Sequence, residues 1–328
     1  MRKFDTRRFL LGFALVGTAA CAAVPAVGQE KFPARPIQMI MPTPPGGGTD
    51  ILGRRLAEAA EKVLNQQIVV ENKPGGNGTI GIGQLVQAKP DGYTIGAVWN
   101  GAVTTTPHTM QLPYKLESLV PLLQIGAGSY VICVREDFPV NSAKELIDLI
   151  KGHPDKYTLG NDGIGNTMQL AAQRIFGHFG AKVRQVPFNG AGETARNFLG
   201  GHVDIYGGSI PAIMAHVKAG KVKCPMLTSA DDNPVLPNAS GLRALGAPEL
   251  ETVLWWAISM PKGVPADRVE ILRDAFRKAA DSDGYREILT KLGATPIFRQ
   301  GEELQKYIQS EYTALGEVAQ ELGLKKAN

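Results

Sequence analysis

Short apolar runs alternate with longer amphipathic stretches along most of the chain, from Lys31 to Asn328. The apolar runs are rich in branched residues, as at Ile37–Met41, whereas the longer stretches place apolar residues three and four positions apart, as at 51–63. The first pattern is typical of buried strands, and the second of helices that bury one face. Their regular alternation predicts an α/β fold with a mainly parallel sheet.

The same pattern locates the individual elements. Strands are predicted at residues 37–41, 67–71, 93–99, 119–125, 130–134, 157–160, 183–186, 203–206, 222–229 and 253–259. Helices are predicted at residues 51–63, 80–88, 143–151, 168–179, 193–199, 211–219, 267–280, 284–292 and 301–322. The segment 233–248 is rich in proline and is predicted to be irregular.

A glycine-rich loop, residues 42–50 with the sequence PTPPGGGTD, joins the first strand to the first helix. Thr49 or Asp50 can cap that helix by accepting a backbone N–H. The successive glycines let a ligand approach the backbone closely, and a helix N-terminus carries partial positive charge. The loop therefore predicts an anion site that needs no arginine, although a tight turn that binds nothing remains the alternative.

The strand, glycine loop and helix recur at residues 157–179, where the loop 161–167 reads NDGIGNT. This repeat predicts a second α/β unit inserted into the first. We expect one lobe to be built from residues 29–125 and 255–328, and the other from residues 126–254. A structure with both loops on one lobe, or facing opposite sides, would contradict this division.

Residues 1–28 differ from the rest of the chain. Four basic residues lie in the first eight positions, an apolar run follows at 9–16, and small residues occupy 26–28. This is the pattern of a secretory signal peptide, which predicts a periplasmic protein. The Arg7-Arg8 pair is also compatible with twin-arginine export, and the sequence leaves the two routes open.

Composition and charge exclude some classes of function. The chain has 328 residues, 44% of them hydrophobic, which is enough for about two domains. Removal of residues 1–28 takes away four basic residues and one acidic residue, so the formal charge falls from +4 to +1. A nearly neutral protein whose basic residues are interspersed with acidic ones is not expected to bind nucleic acid.

The cysteine and histidine spacings predict no metal site. Cys133 and Cys224 would remain after cleavage, and both lie in strand-like runs. In an oxidising compartment they could form a disulfide if the strands are neighbours, or they could be two buried thiols. Both alternatives stay open at this stage.

An exported enzyme is the rival class. Residues 76–81 form a G-x-G-x-x-G pattern after a strand, but extra residues lengthen the turn and the expected acidic residue about twenty positions on is absent. No Gly-x-Ser-x-Gly or phosphate-binding Gly-x-x-x-x-Gly-Lys pattern occurs. The glycine loops supply no nucleophile or base. We therefore expect no catalytic residue, no cofactor and no turnover.

Six stretches in order resemble the Bug family, the substrate-binding proteins of tripartite tricarboxylate transporters. They are 32–37 (FPARPI), 42–50, 70–76 (VENKPGG), 90–94 (PDGYT), 186–190 (VPFNG) and 200–204 (GGHVD). The resemblance implies a type II periplasmic binding fold, with two lobes joined by two crossing strands and a small carboxylate closed between them. It also implies a monomer that works with membrane transporter subunits.

In that family both glycine loops offer backbone N–H groups to the ligand, and other strand ends face the cleft. Carried over to this sequence, together with the two residues discussed next, the candidate ligand-binding residues are Thr43, Pro44, Gly46, Gly47, Gly48, Thr49, Asp50, Trp99, Asn100, Asp162, Gly163, Gly165, Asn166, Thr167, Gly190 and Ser209. The implied ligand is a small organic acid: a di- or tricarboxylate, an aromatic acid or an amino acid. A sensor that uses the same binding fold remains the alternative to a transport receptor.

Two candidates depart from the family pattern. Trp99 could stack on an aromatic ligand or belong to the core, and packing in the core is the commoner role of tryptophan. Asp162 could select a ligand with an amine or accept hydrogen bonds from its own loop, which is the commoner role of aspartate in turns.

Overall fold

The alternation of strands and helices is present in residues 31–324, which are those that the structure, a computed structural model, describes. The strands are β1 (Ile37–Met41), β2 (Ile68–Asn72), β3 (Thr94–Trp99), β4 (Leu119–Arg135), β5 (Thr158–Asn161), β6 (Arg184–Pro187), β7 (Ile205–Ser209), β8 (Val222–Leu227), β9 (Val253–Pro261) and β10 (Ala294–Thr295). The helices are α1 (Gly48–Leu64), α2 (Thr79–Gln87), α3 (Thr106–Thr109), α4 (Ala143–Gly152), α5 (Thr167–His178), α6 (Ala191–Leu199), α7 (Ile210–Lys218), α8 (Ala266–Asp281), α9 (Asp283–Lys291) and α10 (Gly301–Glu321). The signal peptide expected at residues 1–28 lies outside the described residues.

The strands form one path in the order β2-β1-β3-β9-β4-β7-β5-β6, and β8 and β10 also pair with β4. The pairs β1–β2, β1–β3, β5–β6 and β5–β7 are parallel, whereas β9 and β4 run antiparallel to their neighbours. This is a mixed α/β architecture, and together with the structural comparisons given below it confirms the fold class.

Strand β4 belongs to both halves of the sheet. Its residues 119–129 pair with β9, and from Tyr130 onward it pairs with β7 and β8. We call β1–β3, β9, β10 and the first part of β4 the first half-sheet, and β5–β8 with the rest of β4 the second half-sheet. The lobe boundaries expected at residues 125/126 and 254/255 stay a prediction; the change of partners within β4 falls between Ser129 and Tyr130.

Two predicted strands, 119–125 and 130–134, are thus one strand in the structure. Residues 126–129, which the prediction left between the two strands, also pair with β9: Gly126 pairs with Trp256 and Gly128 with Leu254, so the backbone stays extended through them. A second difference follows β3. Residues Gly101–Thr105 form one π-helical turn that leads into α3, and the sequence pattern predicted neither element.

Each half buries its own apolar side chains. Helix α1 places Leu52 and Leu56 in the interior of the first half, as its periodicity predicted. In the second half, Val131, Phe198 and Tyr206 belong to one buried cluster between the sheet and its helices. Among the helices of residues 31–324, none has both the length and the apolar character that a bilayer crossing demands.

Cys133 and Cys224 form a disulfide. Cys133 lies on β4 and Cys224 on β8, which are antiparallel neighbours, so the two side chains meet within the buried cluster of the second half. Of the two alternatives that the sequence left open, the structure has the crosslink.

The disulfide closes a loop with a sequence separation of 91 residues. Replacing both cysteines by serine should lower the free energy of unfolding by roughly 2 to 4 kcal/mol, because the unfolded chain regains the freedom of that loop. Chemical denaturation with and without reductant measures this. The serine variant should be insensitive to reductant, and equal stability of the oxidised and reduced wild type would contradict the prediction.

Candidate functional site

The first glycine loop leads directly into α1, which begins at Gly48 rather than at the predicted Ile51. Gly47 is the N-cap residue and provides no side-chain cap, so the expectation that Thr49 or Asp50 caps the first turn is wrong. Instead, the Asp50 carboxylate reaches back and accepts the N–H of Gly46 at 3.1 Å. Gly46 has a φ of 85°, which bends the loop towards that carboxylate.

Asp50 stabilises the loop through further hydrogen bonds of its carboxylate. Its second oxygen accepts hydrogen bonds from Arg54 Nε at 2.9 Å and from Asn72 Nδ2 at 2.8 Å. Asn72 in turn donates to the carbonyl oxygen of Thr43 at 2.9 Å and accepts from Arg54 Nη2 at 2.6 Å. Because both carboxylate oxygens are engaged, Asp50 positions the loop.

A small cavity lies in front of the same loop. It is lined by Thr43, Gly47, Gly48, Thr49, Trp99, Asp162, Gly190, Ala191, Ser209, Leu254 and Trp256. These residues come from both half-sheets. The cavity is therefore the cleft between the two halves, in a state where the halves touch.

Three helix N-termini meet at this cavity. Gly48 opens α1 from the first half, while Gly190 and Ser209 are the N-cap residues of α6 and α7 in the second half, and neither carries a side-chain cap. The first N–H groups of a helix have no partner within it. Their partial positive charge makes the cavity attractive to an anion.

The loop 190–192 also packs directly on the first glycine loop. A Cβ atom added to Gly192 would lie 2.8 Å from the nitrogen of Gly47 and 2.8 Å from the carbonyl oxygen of Pro45, so only glycine permits this approach. Arg196 of α6 donates to the same Pro45 oxygen at 3.3 Å. Closure of the cleft is thus a backbone-to-backbone contact on this side.

Four of the residues that line the cavity each have a buried polar side-chain atom with no hydrogen-bond partner within residues 31–324. These atoms are Thr43 Oγ1, Trp99 Nε1, Asp162 Oδ1 and Ser209 Oγ. A buried polar group without a partner costs about 1–3 kcal/mol. Their grouping around one cavity indicates a place where a polar ligand supplies the missing partners.

Asp162 follows β5 directly and is only 4% exposed. Burial raises its pKa to about 7, and a hydrogen bond from its own backbone lowers it slightly. After burial, the charge of Asp162 is the next cause that raises the pKa of the buried Tyr130 and Tyr206 phenols. These two phenols donate elsewhere, to Asn100 Oδ1 at 3.3 Å and to the Ser209 carbonyl oxygen at 2.9 Å.

The second glycine loop has its own acceptors for most of its N–H groups. Gly163 donates to Asn161 Oδ1, Gly165 to Gln169 Oε1 and Thr167 to Asn166 Oδ1. These N–H groups are therefore not available to a ligand in this structure, contrary to the role that the family resemblance implied. The loop 190–192 contributes to the cavity from the second half instead.

The second loop closes the other side of the cleft. Asn77 Nδ2 of the first half donates to the carbonyl oxygen of Ile164, and Thr109 Oγ1 donates to that of Gly165 at 3.0 Å. The hydroxyls of Thr105 and Thr167 lie 2.5 Å apart. Asn77 belongs to the G-x-G-x-x-G pattern, which thus forms a contact between the halves.

Asn100 supports the site from outside the cavity. Its amide donates to the Val253 carbonyl oxygen at 2.8 Å and to Glu311 Oε1 at 3.3 Å. Glu311 also accepts from Thr104 Oγ1 and Trp255 Nε1, and although these bonds lower its pKa, burial raises it more. This network ties the π-helical turn and β9 to α10.

The structure thus divides the predicted residues into two groups. Those that line the cavity are Thr43, Gly47, Gly48, Thr49, Trp99, Asp162, Gly190 and Ser209. Those that do not are Pro44, Gly46, Asp50, Asn100, Gly163, Gly165, Asn166 and Thr167. Three lining residues were missed by the sequence reasoning: Ala191, Leu254 and Trp256. Ala191 directly follows the predicted residue Gly190, so its position in the sequence could have identified it. Leu254 and Trp256 lie on β9, and the apolar pattern of a strand does not reveal which of its faces meets the cleft.

Comparison with known proteins identifies several relatives. A sequence model described as "Tripartite tricarboxylate transporter family receptor" matches residues 52–324. Protein BugT of Bordetella pertussis is 30% identical over 313 residues, which are 94% of this chain and 95% of BugT. The structure of periplasmic binding protein BugD superposes with a TM-score of 0.84 and 30% identity, over 90% of this chain and 100% of BugD. MatC from Rhodopseudomonas palustris with bound malate superposes with a TM-score of 0.80 and 25% identity, over 88% of this chain and 99% of MatC.

The Asp50 network yields a prediction about stability. Asp50→Ala should lower the free energy of unfolding by roughly 1–3 kcal/mol, because the Gly46 N–H, the Arg54 guanidinium and the Asn72 amide lose their shared buried acceptor. The matched control is Asp148→Ala, which removes a 57% exposed carboxylate paired with Lys144 and should change stability by less than about 0.5 kcal/mol. Urea denaturation compares the two, and equal effects would show that Asp50 does not hold the loop.

Proposed function

Because the chain belongs to the family of tripartite tricarboxylate transporter receptors, we propose that it captures a small carboxylate in the cleft and presents it to membrane transporter subunits. The bound acid lies in the cavity between the two halves and contacts both of them. Ligand binding therefore favours the closed state. The working compartment is the periplasm, which the signal-peptide pattern of residues 1–28 and the periplasmic relative BugD both support.

The observation that carries the proposal is the set of unpaired donors around the cavity. Thr43 Oγ1, Ser209 Oγ and Trp99 Nε1 are buried and have no partner within residues 31–324. The N-termini of α1, α6 and α7 add backbone N–H groups and partial positive charge. A carboxylate offers two oxygens that accept several hydrogen bonds, so it matches these donors without a cationic side chain.

The comparisons support the ligand class. MatC was solved with malate, and it is similar to this chain over almost all of both proteins. The family is a receptor family, which supports capture of the acid rather than its conversion.

A thermal-shift screen of small mono-, di- and tricarboxylates, aromatic acids and amino acids tests the proposal. A ligand that binds only the folded protein should stabilise it by about 2.7 kcal/mol at a hundredfold excess over Kd. Gly48→Ala should weaken that binding at least about tenfold, because the new Cβ would lie only 2.7 Å from Ser209 Oγ and 3.1 Å from the Trp256 ring. A tenfold loss of affinity corresponds to about 1.4 kcal/mol of binding free energy.

The matched control is Gly177→Ala on α5, where an added Cβ has no atom within 4 Å. Gly177→Ala should leave the unliganded fold intact or stabilise it slightly, because Gly177 lies in a helix and its Cβ meets no atom. Gly48→Ala crowds Ser209 and Trp256, so the melting temperature of each unliganded variant is measured first and the ligand-induced shift is taken relative to it. Only the Gly48 variant should lose the shift. A hit that binds both variants as tightly as the wild type would place the carboxylate elsewhere.

We expect no chemical turnover of the bound acid. The only ionisable side chain among the described residues that line the cavity is Asp162, which has neither a nucleophile nor a base as a partner there. Mass spectrometry after prolonged incubation should recover the acid unchanged in mass and amount. Stoichiometric appearance of a product would make the protein an enzyme.

A further inference from the structure

The buried carboxylate of Asp162 does not fit a cavity built only for a carboxylate. Its Oδ1 atom is buried without a hydrogen-bond partner, and Asp162 is one of the residues that line the cavity. The other unpaired side-chain atoms there, on Thr43, Trp99 and Ser209, all carry a hydrogen to donate. When ionised, this carboxylate accepts hydrogen bonds only, so the cavity then combines several donors with one negatively charged acceptor.

The described lining of the cavity also lacks a cationic side chain that could balance the charge of an ionised Asp162. No lysine, arginine or histidine occurs among the lining residues of the described chain. The two phenols nearest to Asp162, those of Tyr130 and Tyr206, donate to other acceptors. A bound monocarboxylate would therefore put two negative charges into one closed cavity, and at low local dielectric such a pair is strongly unfavourable.

We propose that Asp162 is a specificity-determining residue that accepts hydrogen bonds from a protonated amine of the ligand, so that the substrate class is small amino acids or amino-substituted acids. The proposal rests on the proposed function, because the carboxylate of the same ligand occupies the donors of the cleft. The ammonium group provides the cation that the lining lacks and satisfies Oδ1. One zwitterion thereby matches both parts of the cavity.

Pairs of acids that differ only in one ammonium group provide the test. The probes are L-aspartate with succinate, L-glutamate with glutarate, L-alanine with propionate, and 4-aminobutyrate with butyrate, measured by isothermal titration calorimetry on ligand-free protein. For at least one pair the wild type should bind the amine-bearing acid tighter by roughly tenfold or more, as expected for a charged hydrogen bond in a closed site. This comparison needs no variant, so it holds even if a substitution disturbs folding.

Asp162→Asn then assigns the effect to the residue. It should weaken the amine-bearing acid by roughly 10- to 100-fold and leave its amine-free partner unchanged or tighter, because the buried negative charge is gone. Asp148→Asn, at an exposed carboxylate on α4, should behave as the wild type. An equal loss of affinity for both members of a pair would show that Asp162 does not bind the amine.

The possible results distinguish failure of the ammonium site from failure of the proposed carboxylate capture. If amine-free acids bind as tightly as or tighter than their amine-bearing partners, the inference is wrong and carboxylate capture stands. If their affinity also falls as the pH rises through neutrality, Asp162 acts as a protonated donor, which likewise overturns the ammonium site. If no acid of either kind binds, the proposed function itself fails.

Discussion

Everything at the cleft depends on how the backbone is hydrogen-bonded where the chain passes from one half-sheet to the other. At this crossing two side-chain hydroxyls add hydrogen bonds to those of the backbone, such as the one from the Thr228 N–H to the Tyr130 carbonyl oxygen at 3.1 Å. Ser129 Oγ accepts the N–H groups of Thr228 and Ser229, each at 3.0 Å, and Thr228 Oγ1 accepts the N–H of Tyr130 at 3.1 Å and donates to the carbonyl oxygen of Thr252 at 2.8 Å. Both hydroxyl residues are buried, and their hydrogen bonds satisfy buried backbone groups at the point where β4 changes partners.

This crossing determines what meets in the cleft. Tyr130 follows Ser129 on β4, and its phenol donates a hydrogen bond to Asn100 Oδ1. The Asn100 amide in turn donates to Glu311 on α10. The second half is thereby oriented so that the loop 190–192 meets the first glycine loop on one side. On the other side, Asn77 and Thr109 meet the carbonyl groups of the second glycine loop. The cavity is the space that these two contacts leave between them.

The periodicity of apolar residues was sufficient to predict the strands and helices of the fold. It was not sufficient to predict that β4 runs through both half-sheets, or to identify every residue that lines the cavity. Strands and helices follow from local spacing of apolar residues, so their ends fell within a few residues of the observed ones. The continuity of β4 depends on pairing with β9, more than a hundred residues away, which no local pattern contains. The same limit explains why Trp256 was missed. It also explains why the second glycine loop was expected to serve the ligand: its N–H groups are occupied by the nearby side chains of Asn161, Asn166 and Gln169, a detail of loop geometry.

An anion site built from helix N-termini and hydroxyls suits a protein that must release what it binds. Each helix end contributes about half an elementary charge, and such partial charges act strongly only where water is excluded. Under the proposed function, a carboxylate in the closed cleft would therefore experience the full set of donors around Gly48, Gly190 and Ser209. When the halves separate, water can satisfy both the donors and the acid, and the attraction falls steeply because no arginine stays paired with the ligand. If the carboxylate is held as proposed, affinity is coupled to closure itself, and this coupling would let a receptor release its ligand when the cleft opens.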